Sequence, residues 1–344
     1  MSFDELPRIA ISSGDPAGIG PEVTVKALED DAVRSLARWI VVGENWILEQ
    51  ATPSINWQPD VVVKDATEIP PEASVVLLEP NVVDRGTFRL GELSANCGLA
   101  SLEYVAEATK WCLCGDASAI VTAPINKEAV SLAGTHFTGH TEFIAELCNA
   151  KESRMLLVND KMRVVHVTTH CSLSDATKID SQRVLSTIVL GHEAMQRLGW
   201  ENPRLAICGL NPHAGENGLF GNQESTVIQP AVAAARERGI DCVGPFPADT
   251  LFLQAYRGKY DMVVAMYHDQ GHVPMKLLDF EHTVNVSLGL PIVRTSVDHG
   301  TAFDIAGQDL ADPEDMKTAL RLASKMVSQR KESNLSRKIS VSTQ

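Results

Sequence analysis

No run of apolar residues in this chain reaches the roughly 18–20 needed to cross a bilayer, so an integral membrane helix is not expected. The opening MSFDELPRIAISSGD carries acids where a signal peptide carries basic residues, and it lacks the long apolar stretch of one. A cytoplasmic protein is expected. The seven cysteines, at 97, 112, 114, 148, 171, 208 and 242, make no framework. Cys112 and Cys114 form a lone C-x-C without a matching pair, so free thiols are expected rather than disulfides. Basic residues are scarce: 30 Lys and Arg stand against 44 Asp and Glu, a net charge of -14. Without a strong positive field the chain is not a general nucleic-acid binder, although one local basic pocket for a small phosphate stays open. Internal repeats, low-complexity blocks and Pro/Gly-rich linkers are also missing.

What is present is an ordinary globular balance, 44% hydrophobic and 22% charged over 344 residues, long enough that two domains are the default. Short Val/Ile-rich runs read as strands covered on both faces: Arg8–Ser12, Trp39–Val42, Ser74–Leu78, Ala119–Thr122, Arg163–Thr168, Arg204–Cys208, Met262–Met266 and Val284–Ser287. Between them lie helical patterns, clearest over Cys97–Cys112, Thr141–Asn149, Ser181–Leu198, Ser225–Arg238 and Asp315–Ser328. Strand–helix alternation implies an α/β architecture with a mostly parallel sheet. The polar stretch 331–344 has few apolar anchors and is expected to fray.

Gly14-Asp-Pro-Ala-Gly-Ile-Gly-Pro-Glu22 suggests a nucleotide loop, but its spacing is G-x-x-x-G-x-G rather than G-x-G-x-x-G, and no G-K-[ST] follows. It reads as a tight turn feeding a helix, with Pro21 in the first turn, or as an active-site turn close to a cofactor. Three histidines fall at expected strand ends: His170 in VTTH, His213 in GLNPHAGE and His268 in MYHDQGH. Ligands gather at the carboxyl ends of parallel strands. Three imidazoles delivered from three such ends could hold one catalytic divalent ion with a position open for substrate. Nitrogen-rich ligation favours Zn, Co or Mn, while Mg stays compatible with a phosphorylated acid; a satisfied structural role is the alternative for each histidine. His140, in TGHTEF, opens a helix whose N–H groups suit an anion, or makes a local cap. Lys276, Asn285 and Arg294 stand among apolar or glycine neighbours. Their charges need anionic partners, either an internal carboxylate or a substrate carboxylate or phosphate. Lys127 and Asp249 follow similar logic with less specificity.

Asp298-His-Gly-Thr-Ala-Phe-Asp-Ile-Ala-Gly307 resembles the H-G-[ST]-A-x-D-I-A-G segment of the isocitrate and isopropylmalate dehydrogenases, part of the loop that holds the NAD adenosine there. From about Arg8 to about Met326 the chain is similar to the 4-hydroxythreonine-4-phosphate dehydrogenase family of pyridoxal phosphate biosynthesis. The matching motifs are GDPAGIGPE (14–22), TAPINKE (122–128), GHTEF (139–143), VTTH (167–170), GLNPHAGE (209–216), PADTLF (247–252), MYHDQGH (266–272) and LGLPIVRTSVDHGTAFDIAG (288–307).

The resemblance implies an isocitrate/isopropylmalate dehydrogenase-like α/β fold, two domains with an active-site cleft between them. Residues 1–128 with 300–344 would form an NAD-associated domain, and 129–299 a metal, substrate and dimerisation domain. It implies metal ligands at His170, His213 and His268, with the ion shared across a homodimer interface. Substrate contacts fall at His140, Thr141, Lys276, Asn285 and Arg294, and NAD contacts, with NADP as the alternative, at His299, Gly300, Thr301 and Asp304. Asp249 matches an acidic position near the metal; Lys276 or Asp249 is the expected base. NPHAGENGLFG (211–221) and LQAYRGKYDMVVAMYHDQGH (253–272) are closer to a branch similar to D-threonate or D-erythronate 4-phosphate dehydrogenases, and the stretch after His170, Cys171-Ser-Leu-Ser-Asp, is not typical of the pyridoxal phosphate pathway enzyme. The expected reaction is oxidation and decarboxylation of a 4-phosphorylated 3-hydroxy acid. A metal-dependent hydrolase on the same histidines, and a non-catalytic metabolite-binding protein, are the rivals.

Overall fold

The chain forms strands β1 (Arg8–Ser12), β2 (Arg38–Val42), β3 (Val61–Val63), β4 (Val75–Leu78), β5 (Ala119–Thr122), β6 (Arg154–Val158), β7 (Arg163–His166), β8 (Leu205–Cys208), β9 (Cys242–Phe246), β10 (Met262–Ala265), β11 (Val284–Leu288) and β12 (Val293–Ser296). This is a computed structural model and describes residues 3–342. Its contacts divide the chain into two units, Met1–Ser153 with Leu290–Gln344, and Arg154–Gly289.

In the first unit the strands lie in the order β3-β4-β2-β1-β5-β12, all parallel. β1, β2, β4 and β5 are buried along nearly their whole length, as a doubly covered sheet requires. The helix Ala95–Cys114 is capped at one end by the Ser94 side chain on Cys97 N and at the other by left-handed Gly115. It packs Tyr104, Val105, Ala108 and Trp111 into a core with Ile40, Val42, Val76 and Ile120. The sequence reading placed residues 129–153 and 290–299 in the second domain. They belong to the first unit, because the helix His140–Leu147 packs Ile144 into this core and β12 pairs with β5.

In the second unit the order is β11-β6-β7-β10-β8-β9. β7, β10, β8 and β9 are parallel, whereas β6 runs antiparallel to both β11 and β7. β6 and β7 are joined by a short turn in which the Asn159 side chain accepts from Lys161 N and Met162 N. β3, β6, β9 and β12 were not anticipated. β7 was anticipated over Arg163–Thr168 but ends at His166, so His170 lies on the following loop. His268 is likewise the first residue of the helix His268–Leu278 rather than a strand end. The helix Glu314–Ser342 continues through most of the stretch expected to fray; residues 343 and 344 lie outside the described residues. No described helix is long and apolar enough to cross a membrane.

Candidate active site

The turn after β1 is set by close backbone approaches. A Cβ on Gly14 would sit 2.4 Å from Pro124 O, and one on Gly18 would sit 2.8 Å from Thr301 O. Ile19 N donates to Thr301 O at 2.9 Å, and Asn126 Nδ2 donates to Thr301 Oγ1 at 3.3 Å. The first glycine cluster is therefore packed on the His299–Gly307 segment. Buried Glu22 adds a second tie, accepting from Ala311 N (2.9 Å), Gly307 N (3.3 Å) and Lys26 Nζ (2.9 Å). Thr301 is buried, Asp304 is exposed, and beside Gly300 there is open space where a side chain would begin. His299 is half-buried, with Nδ1 near its neighbour's carbonyl, Gly300 O, at 2.9 Å.

Asp15, in the same turn, is fully buried and accepts from Ala17 N, while its Oδ2 has no hydrogen-bond partner. Burial lifts its carboxyl to about 6, against hydrogen bonds from Ala17 and Asn126 that pull it down. A carboxyl raised on folding adds stability below its unfolded value; that contribution fades as pH rises through about 6. Relative to wild type, Asp15→Asn is therefore expected to be neutral below about pH 4 and stabilising above pH 6, by up to roughly 3 kcal/mol. Urea unfolding of both proteins from pH 4 to 8 checks this; a difference that does not change with pH refutes it.

Arg294, on β12, is 2% exposed. Its Nη2 donates to Thr122 Oγ1 at 2.7 Å and its Nη1 to Thr141 Oγ1 at 3.3 Å. Burial pulls its pKa down to about 9, with the Glu142 charge acting the other way. Both partners weighed in the sequence are thus relevant: Glu142 is an internal carboxylate, and a ligand anion would relieve the same burial. His140 opens the helix as expected. Burial, then the charges of Arg294 and Lys127, push its pKa well below the usual histidine value, so it is neutral at pH 7. Its ring shares a hydrogen bond with the Ala123 backbone, and Nε2 has no partner. A neutral ring donating to that carbonyl offers Nε2 as an acceptor, suited to a hydroxyl rather than to an anion.

In the second unit, His170 and His268 come together, with ring centroids 5.9 Å apart. His268 Nδ1 is held by Asp269 Oδ1 at 2.7 Å, which leaves Nε2 for a ligand. His272 stacks on His268 at 3.6 Å and 11° and shares a bond with its carbonyl; buried His166 lies 4.6 Å beyond. His213 is exposed and does not join His170 and His268: among the described residues no group of three or more His, Cys, Asp or Glu is placed to hold a metal ion. Gln270 links the two histidine segments, accepting from Met266 N at 2.6 Å and donating to Gly209 O at 2.8 Å.

Lys276 shares the helix with His268 and His272, one residue in every four and so along one side. Its Nζ lies 5.1 Å from the Phe280 ring centre. Asn285 is buried on β11 with Oδ1 lacking a hydrogen bond, and Asp249 is exposed in the first turn of the helix Ala248–Tyr256. The sequence reading passed over His166, His272, Glu22 and Asp15. For His272 the signal was there, four residues after His268 in MYHDQGH.

A family model described as pyridoxal phosphate biosynthetic protein PdxA matches residues 35–323. The chain belongs to the PdxA family. It is 47% identical to a D-threonate 4-phosphate dehydrogenase of Cupriavidus necator, over 95% of this chain and 99% of the relative. It is 43% identical to a 4-hydroxythreonine-4-phosphate dehydrogenase of Geobacter metallireducens, over 93% and 95%. Its fold matches the crystal structure of a 4-hydroxythreonine-4-phosphate dehydrogenase from Klebsiella pneumoniae with a TM-score of 0.83 and 42% identity, covering 93% of this chain and 99% of that one. These PdxA likenesses bear out the dehydrogenase-type α/β fold expected from the motifs.

Proposed function

We propose that this chain is an NAD-dependent, divalent-metal-dependent dehydrogenase. It oxidises the C3 alcohol of a 4-phosphorylated 3-hydroxy acid, with loss of CO2. Its substrate is either D-threonate or D-erythronate 4-phosphate, giving dihydroxyacetone phosphate, or 4-hydroxythreonine 4-phosphate. Full-length kinship supports the reaction class. Within the chain, the substrate class rests on one observation: Arg294, buried between two threonine hydroxyls beside a neutral His140, is a cationic and polar cluster in an acidic protein.

His170 and His268 suit the implied metal as a pair, and the segment from His299 to Asp304 suits NAD. His268, fixed by a carboxylate on Nδ1 and adjacent to His170, is a typical nitrogen donor for Zn, Co or Mn, with Mg also open. His170, His213 and His268 would hold the ion, with donors drawn from two copies in a homodimer. The second unit exposes large apolar side chains that a second copy would cover, including Leu219 at 72% and Leu277 at 85%. NAD would lie on His299, Gly300, Thr301 and Asp304, where the open space beside Gly300 admits close backbone approach; NADP remains the alternative. When bound, NAD accepts the hydride and the divalent ion polarises the C3 oxygen.

The chain's own residues bind and move protons. Arg294 and Thr141 hold an anionic end of the substrate, and Lys276 and Asn285 hold further polar groups. His140 Nε2 accepts a substrate hydroxyl. Lys276 takes the C3 proton, with Asp249 as the other candidate. Oxidation leaves a β-keto acid, and its carboxylate departs as CO2. Both NAD and a phosphorylated acid are too charged to cross a membrane unaided, which fits a cytoplasmic enzyme.

The test is NADH absorbance with NAD, a divalent metal and each 4-phospho acid in turn. NADH is expected with at least one of the three, none with its dephosphorylated form, and loss on chelation with recovery on metal addition. Phosphate release or other hydrolysis without NADH would point to a hydrolase, and binding without turnover to a metabolite-binding protein.

A further inference from the structure

The residues that carry His213 have a backbone few sequences adopt. His213, Ala214, Gly215, Glu216 and Asn217 have φ of 52°, 52°, 80°, 44° and 55°, five consecutive left-handed residues of which one is glycine. Such a run does not hold itself, since each side chain there crowds the following carbonyl. Something outside it must fix it.

That something is Glu224. This residue is 4% exposed and begins the π-helical turn Glu224–Ile228. Oε1 accepts from Leu210 N at 2.8 Å and from Asn211 N at 2.7 Å; Oε2 accepts from Asn211 Nδ2 at 2.9 Å. Asn211 Nδ2 also reaches Gln223 Oε1 at 2.8 Å. The carboxylate reaches past the strut as well: a Cβ on Gly215 would meet Oε2 at 2.6 Å and one on Gly209 would meet Oε1 at 3.2 Å. Glu224 thus grips Leu210 and Asn211, one residue short of the left-handed turn, and lies against its centre at Gly215. No lysine or arginine is among these partners, so a buried negative charge is satisfied by N–H groups of the loop alone, and the loop must stay in place to satisfy it.

We propose that Glu224 is a positioning residue that, through Asn211, locks the left-handed turn presenting His213 to its ligand. The role in metal binding rests on the metal reading given above; the locking of the loop does not. Glu224→Gln keeps the volume, but the new amide turns a donor toward the Asn211 amide, where two donors now face each other. Adding Asn211→Asp converts that clash into a donor–acceptor pair.

The experiment uses the full-chain protein purified without metal and compares wild type, E224Q, N211D/E224Q and His213→Ala. Amide hydrogen exchange over residues 209–221 is read without metal, and Co2+ affinity is read by titration. E224Q is expected to raise exchange in this loop at least about 10-fold, with the β7 and β10 amides unchanged, and to weaken Co2+ binding 10- to 100-fold. N211D/E224Q should recover most of both. Unchanged exchange and Co2+ binding in E224Q would overturn the proposal, as would a loss that the double variant does not recover. If E224Q does not fold, Asn211→Ala carries the same test, because it removes the strut and leaves both backbone partners. Unaltered Co2+ binding in His213→Ala would sink the metal reading alone, since the exchange result is independent of it.

Discussion

His213→Ala is expected to lower NADH-forming turnover by at least about 10^3-fold, ~4 kcal/mol of transition-state stabilisation. The exposed position of His213, on a left-handed turn that costs roughly 1–2 kcal/mol for each non-glycine residue, is hard to explain by packing. Strain of this kind persists where a neighbour enforces it and clusters at sites that bind or react. Removing an exposed imidazole leaves no core cavity, so the folded state should survive with its melting temperature within a few degrees. Activity and thermal melting together decide the matter. Wild-type turnover in a folded His213→Ala protein would remove this residue from the metal set.

Arg294→Met is expected to separate function from folding. The guanidinium is buried, two of its hydrogen-bond partners are threonine hydroxyls, and burial drags its pKa to about 9 against the Glu142 charge. Burial is the larger of these two influences, and a bound anion would act against it as Glu142 does. An apolar side chain of similar length removes that burden, but it leaves the Thr122 and Thr141 hydroxyls without this donor, at about 1–3 kcal/mol. A substrate phosphate or carboxylate would lose a buried, charge-assisted partner, at about 2–5 kcal/mol. The expected outcome is a folded protein with a modestly lowered melting temperature, and kcat/KM down on the order of 10^2- to 10^3-fold with KM carrying much of the change. A folded variant with wild-type KM for every 4-phospho acid would show that Arg294 serves Glu142 and the fold instead.

The sequence by itself settled what local chemistry can settle. Nearly continuous Val/Ile runs located β1, β2, β4, β5, β7, β8, β10 and β11, because a strand covered on both faces is apolar along most of its length. The ordered motifs pointed to the dehydrogenase family that the full-length relatives confirm. His140 and the 299–307 segment were visible because their residue types are unusual where they stand.

Only the tertiary structure decided the rest. β12 was hidden in Leu-Pro-Ile-Val-Arg-Thr-Ser, since nothing local says that it pairs with β5 from more than 170 residues away. β6 was hidden because its direction depends on a turn whose Asn159 acts through side-chain bonds. Glu22 and Glu224 look like surface glutamates in the sequence. Burial and backbone N–H partners make them anchors, and both are properties of distant segments brought together. Residue chemistry is carried by the chain one position at a time, whereas desolvation, register and convergence exist only once the chain has folded.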